Sequence, residues 1–292
     1  MKLKSLTELK EKYAQSPSQF IKIGDLDVHY RDEGNPDDEL PLVLIHGTCA
    51  HLHTFDAWTE VLKKTKRVVR MDLPAFGLTG AFSHHNYSIT NYVKFIKDFL
   101  ETKGIEKCII GGNSLGGEIA WNFTLEHSER VEKLILIDSA GFELKSKALL
   151  FLTKATKVPK FGGVLKHLAT KFLVKKSLEE VYGEVTPVKN ETVEIYHDLF
   201  LREGNPQALV DLGNTLELAI KKIDPKINEI SKIQQPTLIL WGEKDTLVSL
   251  SDAEKFNKNI PNSKLVIFKG AGHVPMEEIP EESVKPVLEF IK

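Results

Sequence analysis

Short apolar runs alternate along this chain with segments in which apolar positions recur every three or four residues. Pro41-Leu42-Val43-Leu44-Ile45, Arg67-Val68-Val69-Arg70-Met71, Lys107-Cys108-Ile109-Ile110, Leu134-Ile135-Leu136-Ile137, Thr237-Leu238-Ile239-Leu240-Trp241 and Leu265-Val266-Ile267-Phe268 are short, and each is followed by a polar residue or glycine. Continuous runs of this kind predict strands covered on both faces of a sheet. Between them, Ser88 to Glu101 sets Ile89, Tyr92, Val93, Ile96 and Leu100 at helical spacing, with Gly104 as a stop. Further helices are predicted through Ile119 and Phe123, near Ala253, and from about Glu281 to Ile291. Phe20–Ile23 and Val28–Arg31 alternate in polarity and predict an antiparallel edge. The order predicts an α/β fold, a mostly parallel sheet flanked by helices.

The alternation breaks once. From about Phe142 to Pro236 there is no strand pattern, only helical segments over Ala148–Leu152, Val164–Val174, Val193–Leu201 and Gln207–Ile220. An excursion this long between sheet strands predicts an inserted helical unit rather than a loop. The division is a core of residues 1–143 and 226–292 with an insertion at 144–225. Residues 145–176 carry Lys145, Lys147, Lys154, Lys157, Lys160, Lys166, Lys171, Lys175 and Lys176 and no acidic residue. A solvated helical face is the favoured reading. Contact with a membrane or lipid surface is the less favoured one, because the lysines do not segregate to one face.

Composition narrows the class. Lys plus Arg is 39 against 41 Asp plus Glu, a net charge of −2, which argues against a dedicated nucleic-acid binder. Two cysteines, Cys49 and Cys108, make no disulfide framework and fit a reducing compartment. No apolar stretch approaches the roughly 18 residues of a membrane helix, and the N-terminus lacks the apolar run of a signal peptide. A soluble cytoplasmic protein is the default expectation.

The chemistry concentrates at strand ends. The run at 107–110 leads into Gly111-Gly112-Asn113-Ser114-Leu115-Gly116-Gly117, a Gly-x-Ser-x-Gly pattern with a strand entering and a helix leaving. A serine there must occupy a sharp, strained turn that projects its oxygen above the sheet. A hydroxyl needs a base to become a nucleophile. His273, in Lys269-Gly270-Ala271-Gly272-His273-Val274-Pro275, directly follows the last strand and is the candidate. His46 also ends a strand, but its expected role is an orienting hydrogen bond beneath the loop that follows. The acid that orients His273 is expected to be Asp245. Asp138 is its rival and otherwise a cap or loop anchor. The oxyanion of an acyl-transfer intermediate needs preorganised donors. The backbone N–H groups of Leu115 and Thr48 are the candidates. Candidate substrate contacts are Cys49, Phe76, Phe151 and Val274, with Cys49 also readable as a small packing residue. His51-x-His53 and His84-His85 lack further ligands at metal spacing, and no metal is expected. Trp58, Trp121 and Trp241 are expected in the core. No glycine-rich phosphate loop followed by lysine occurs, so no nucleotide is expected.

The order Ser114, Asp245, His273, the His46-Gly47 loop and the Gly-Asn-Ser-Leu-Gly-Gly turn resemble the α/β-hydrolase fold family, over roughly Phe20 to Ile291. Asp72-Leu73-Pro74-Ala75-Phe76-Gly77 also matches, with Ala75 where that family usually has glycine. The resemblance implies an eight-stranded sheet, a Ser–His–Asp triad, no cofactor, a helical cap at the insertion, and a small-molecule ester as substrate, as in capped bacterial-type esterases and lipases. Epoxide hydrolases and dehalogenases in the family use an aspartate where this chain has Ser114. Carbon–carbon bond hydrolases of ring-cleavage products share the Gly-Asn-Ser turn. They usually carry a glycine run where this chain has Thr48-Cys49-Ala50, and Trp where it has Val274. A non-catalytic ligand-binding protein on the same fold is the remaining alternative.

Overall fold

The computed structural model describes residues 2–142, 167, 169–220 and 225–292. Its sheet has eight strands: β1 (Gln19–Ile23), β2 (Leu26–Glu33), β3 (Leu42–Ile45), β4 (Val68–Met71), β5 (Cys108–Asn113), β6 (Val131–Ile137), β7 (Thr237–Gly242) and β8 (Ser263–Phe268). They lie in the order β1-β2-β4-β3-β5-β6-β7-β8. β2 runs antiparallel to β1 and β4, and every other pairing is parallel. The antiparallel edge and the six parallel runs are where the polarity pattern predicts them.

Alternation of side chains across the sheet builds two cores. Val43, Ile45, Val69, Ile110, Leu134, Leu136, Ile239 and Trp241 face one side, under α3 (Ile89–Thr102), α4 (Leu115–Glu126) and α8 (Leu250–Asn259). Leu42, Leu44, Val68, Ile109, Ile135, Ile137, Leu238 and Leu240 face the other, against α2 (Asp56–Leu62) and α10 (Pro280–Phe290). β3, β4, β5 and β7 are buried along their whole length, which is why apolar residues dominate them. Trp58, Trp121 and Trp241 are fully buried, as expected.

Between β6 and β7 the described residues hold only helices: α5 (Lys171–Val181), α6 (Asn190–Phe200), α7 (Asn205–Ile220) and a 3-10 segment, Pro225–Lys232. The expected helix Val164–Val174 is corrected. Ala169 and Thr170 are non-helical, and Thr170, with extended backbone, accepts the N–H of Leu173 as the cap that starts α5. A threonine side chain that bonds a backbone N–H three residues on begins a helix more readily than it continues one. The expected helix Ala148–Leu152 lies outside the described residues. At the N-terminus, α1 (Leu6–Tyr13) docks beside the end of α6 through Lys4, whose backbone N–H donates to the Leu201 carbonyl and whose carbonyl accepts from Glu203. Among the described residues, no helix is long and apolar enough to cross a membrane.

Candidate active site

β5 turns directly into α4 at Ser114, whose φ of 54° and ψ of −117° are strained for any residue but glycine. Hydrogen bonds from both sides hold that conformation. The Ser114 N–H donates to the Ile137 carbonyl at the end of β6, and its own carbonyl accepts from Ala140 and Glu118. The turn is tight enough that a Cβ on Gly112 would meet the Gly116 carbonyl at 2.2 Å, and one on Gly116 the Ile45 carbonyl at 2.2 Å. Only glycine fits at either position.

His273 follows β8 and is buried. Its Nδ1 lies 2.7 Å from Asp245 Oδ2. The Asp245 side chain is fully buried, and its other oxygen accepts the N–H groups of Leu247 and Val248 at 2.7 and 3.0 Å. Those bonds fix the carboxylate in one orientation. A carboxylate on Nδ1 places the imidazole proton there and leaves Nε2 as the basic nitrogen. Asn113 ties this loop to the serine turn, donating from Nδ2 to the His273 carbonyl at 2.9 Å. Among the described residues, Ser114 and His273 make no side-chain hydrogen bond to each other. Such contacts are often long in unliganded sites and tighten when substrate binds.

Asp138 ends β6 and lies inside the same cluster. Its Oδ1 accepts the Gly242 N–H at 2.8 Å, so it anchors the end of β7 rather than capping a helix. Among the described residues, Asp138, Asp245 and His273 are the three metal-ligand types whose atoms gather within 4.8 Å. The His273–Asp245 hydrogen bond and the position of Asp138 at the end of the neighbouring strand account for that closeness.

Leu115 is the first residue of α4, so its N–H has no intrahelical partner. Among the described residues, neither it nor the Thr48 N–H enters a turn or loop hydrogen bond. The loop after β3 runs close by: a Cβ on Gly47 would lie 3.0 Å from that of Ser114. Beneath it, His46 is fully buried. Its Nε2 accepts the Leu73 N–H at 2.9 Å, so Nδ1 carries the proton and donates to the Gly47 carbonyl at 2.8 Å. Burial lowers its pKa and keeps it neutral. It joins the loops after β3 and β4, the orienting role expected of it.

Cys49 and Phe76 line one small cavity of about 10 Å³ with Ala50, Ala75, Leu199 and Leu209, room for a single water. Cys49 keeps accessible surface there, yet protein surrounds it deeply enough that burial pushes its thiol up to about 12. Val274 is packed in the core beside Met276 and Phe268. Phe151 lies outside the described residues. In the two His-rich motifs, His51 packs on Tyr196 and edge-on against His53, whose Nδ1 lies beside Asp56, while His84 packs on Phe82 and His85 meets Asp211.

Two carboxylates at the end of α9 (Pro275–Glu278) were not legible in the sequence as part of this site. Glu277 accepts hydroxyls from Thr54, Tyr182 and Tyr196, and burial nonetheless raises its pKa. Glu278 accepts the N–H of Gly272 at 2.7 Å and that of Gly183 at 3.0 Å. The strap after α5 therefore rests on the histidine loop, and the His273 N–H itself donates to the Val181 carbonyl at 2.8 Å. In sequence, acids in the first turn of a helix read as ordinary dipole complements.

The sequence matches the alpha/beta hydrolase fold family over residues 41–280. An uncharacterized hydrolase of Bacillus subtilis, YugF, is 26% identical over 279 residues, covering 96% of this chain and 99% of that one. The monoacylglycerol lipase abhd6-A of Xenopus laevis is 26% identical over 291 residues, covering 94% of this chain and 81% of the lipase. The solved structure of a membrane phospholipase A, a bacterial virulence factor, superposes with a TM-score of 0.78 at 26% identity, covering 94% of this chain and 85% of that one.

Proposed function

The chain belongs to the alpha/beta hydrolase fold family, and from that premise we propose that it is a serine hydrolase cleaving carboxylic esters through an acyl-enzyme. The observation that carries the reading is the 2.7 Å contact of His273 Nδ1 with Asp245, next to a serine held in a strained strand-to-helix turn. The relatives named as a monoacylglycerol lipase and a phospholipase A support esters as the substrate class.

In this scheme His273 Nε2 takes the Ser114 proton as Oγ attacks the ester carbonyl. The carbonyl oxygen becomes an oxyanion facing the N–H groups of Leu115 and Thr48. The imidazolium, stabilised by Asp245, returns the proton to the departing alkoxide and leaves an acyl-serine and an alcohol. Water then repeats the sequence: His273 removes its proton, hydroxide adds to the acyl carbon, and Ser114 leaves with that proton. Side chains, backbone N–H groups and water complete the scheme. In this reading α5, α6 and α7 of the insertion act as a cap over the carboxyl edge of the sheet and govern which esters enter.

Ser114→Ala is expected to lower kcat on a short p-nitrophenyl ester by about a thousandfold or more with the melting temperature retained. A fluorophosphonate is expected to label Ser114 in the wild type. Undiminished ester turnover in the variant refutes the proposal. Turnover of a vinylogous diketo acid but of no ester would instead favour carbon–carbon bond hydrolysis.

A further inference from the structure

We propose that Asp138 acts as a neutral carboxylic acid donating a hydrogen bond to the Asp245 carboxylate, and is thereby a positioning residue for the catalytic acid. The inference rests on the Ser114–His273–Asp245 reading above.

Asp138 and Asp245 follow adjacent strands, β6 and β7. The Asp138 backbone has φ +44°, and its N–H is bonded to the Leu240 carbonyl at 3.0 Å, so its side chain is fixed at the root. That side chain is fully buried. One oxygen takes the Gly242 N–H, while Oδ2 receives no N–H or O–H among the described residues. An oxygen of the Asp138 carboxyl group, an oxygen of the Asp245 carboxyl group and a ring nitrogen of His273 lie within 4.8 Å of one another.

Two carboxylates cannot both stay ionised in such a site. The titratable groups facing Asp138 are Asp245, His273 and, farther off, Glu278. Asp245 is served by three donors, the imidazole and two backbone N–H groups, and Asp138 by one. The shared proton therefore resides on Asp138, whose pKa burial and then Asp245 raise well above the carboxylate range. Its O–H fills the gap at the orphan oxygen. The consequence for catalysis concerns His273. A single carboxylate charge faces the ring and balances the imidazolium formed when Nε2 takes the Ser114 proton. A second would add attraction for that proton and oppose its return to the leaving group.

The test is the pair Asp138→Ala and Asp138→Asn in the full-length protein. Asp138→Ala is expected to lower kcat about tenfold or more with little change in KM. Asp138→Asn, whose amide both accepts from Gly242 and donates to Asp245, is expected to restore kcat to within about threefold, with the acid limb of the kcat/KM profile unmoved. Were Asp138 ionised, Asp138→Asn would remove a charge near the imidazole and lower that limb by about one unit or more, which overturns the proposal. Wild-type kcat in Asp138→Ala overturns it as well. An activity-free readout separates this from the triad reading. In the Ser114→Ala background at pH 7, infrared difference spectra are expected to show a carboxylic-acid carbonyl band that Asp138→Asn removes. Its absence refutes the neutral Asp138 whatever the fate of the triad.

Discussion

Ala75 stands where its motif usually carries glycine, and its φ of +87° gives the reason glycine is usual. A left-handed backbone costs a side-chain-bearing residue about 1–2 kcal/mol. The residue is also almost fully buried, so Ala75→Gly removes a methyl worth about 0.8 kcal/mol and adds unfolded-state freedom worth about 0.5–1 kcal/mol. The opposing effects nearly cancel. Ala75→Gly is expected to change the unfolding free energy by less than about 0.5 kcal/mol in urea denaturation, whereas an unstrained buried alanine would lose about 1.5 kcal/mol. A loss of that size shows that Ala75 carries no strain. The position was legible as a departure from the motif, but only the backbone angle says what it does. Ser114, His273 and Asp245 were legible because each follows an apolar run that had to be a strand, and strand ends converge at one sheet edge. Asn113 and Glu278 were not, because what they do depends on loops brought together from distant parts of the chain.

At the scale of elements, Glu278 joins three. It closes α9, binds the histidine loop through Gly272, and binds the strap that follows α5 through Gly183. The carboxylate is buried, and the Val185 N–H adds a third, longer bond at 3.4 Å. Deleting it strands those donors, each at about 1–3 kcal/mol. Glu278→Ala is expected to destabilise the fold by about 2–4 kcal/mol and to lower kcat/KM, because the same carboxylate sets the loop that carries His273. Glu278→Gln keeps the shape but only one acceptor oxygen, and should fall between. Calorimetry and ester kinetics on both variants check this. Unchanged stability and activity in Glu278→Ala would remove the link between strap and loop. The elements that could be read were those with unbroken apolar character. α1, with one buried residue, Leu9, has no apolar stripe to read, and α5 begins where a threonine cap interrupts an apparent helical run.

Over the whole molecule, buried carboxylates make stability depend on pH. Asp72 is fully buried between the strand-end loops. Burial opposes its ionisation. The His29 ring at 2.7 Å and the N–H groups of Leu52 and Leu78 outweigh that and hold its pKa well below the usual range. Asp198 is lowered too: against partial burial, Lys4, Lys12, Tyr13 and His197 bind it, which fastens α1 to α6. In the unfolded chain such groups titrate near 4. The unfolded state therefore binds more protons as the pH falls below about 5, and the stability these groups supply, complete above their unfolded pKa, is lost progressively through the acid range. Protonation also leaves 39 Lys and Arg side chains with fewer opposing charges, so self-repulsion acts in the same direction. Asp138 and Glu277, with raised values, have the opposite sign: their contribution is present below about pH 4 and declines as the pH rises. Asp72→Asn isolates the first effect. The amide cannot accept from His29, Leu52 and Leu78 together, so the variant is expected to be much less stable than the wild type at pH 7. The gap should narrow as the pH drops from about 5 toward 3, where the wild-type carboxylate is itself being protonated. Urea denaturation of both proteins at several pH values measures that gap. A gap that stays constant with pH would mean that Asp72 stabilises the loops by shape and packing rather than by its charge.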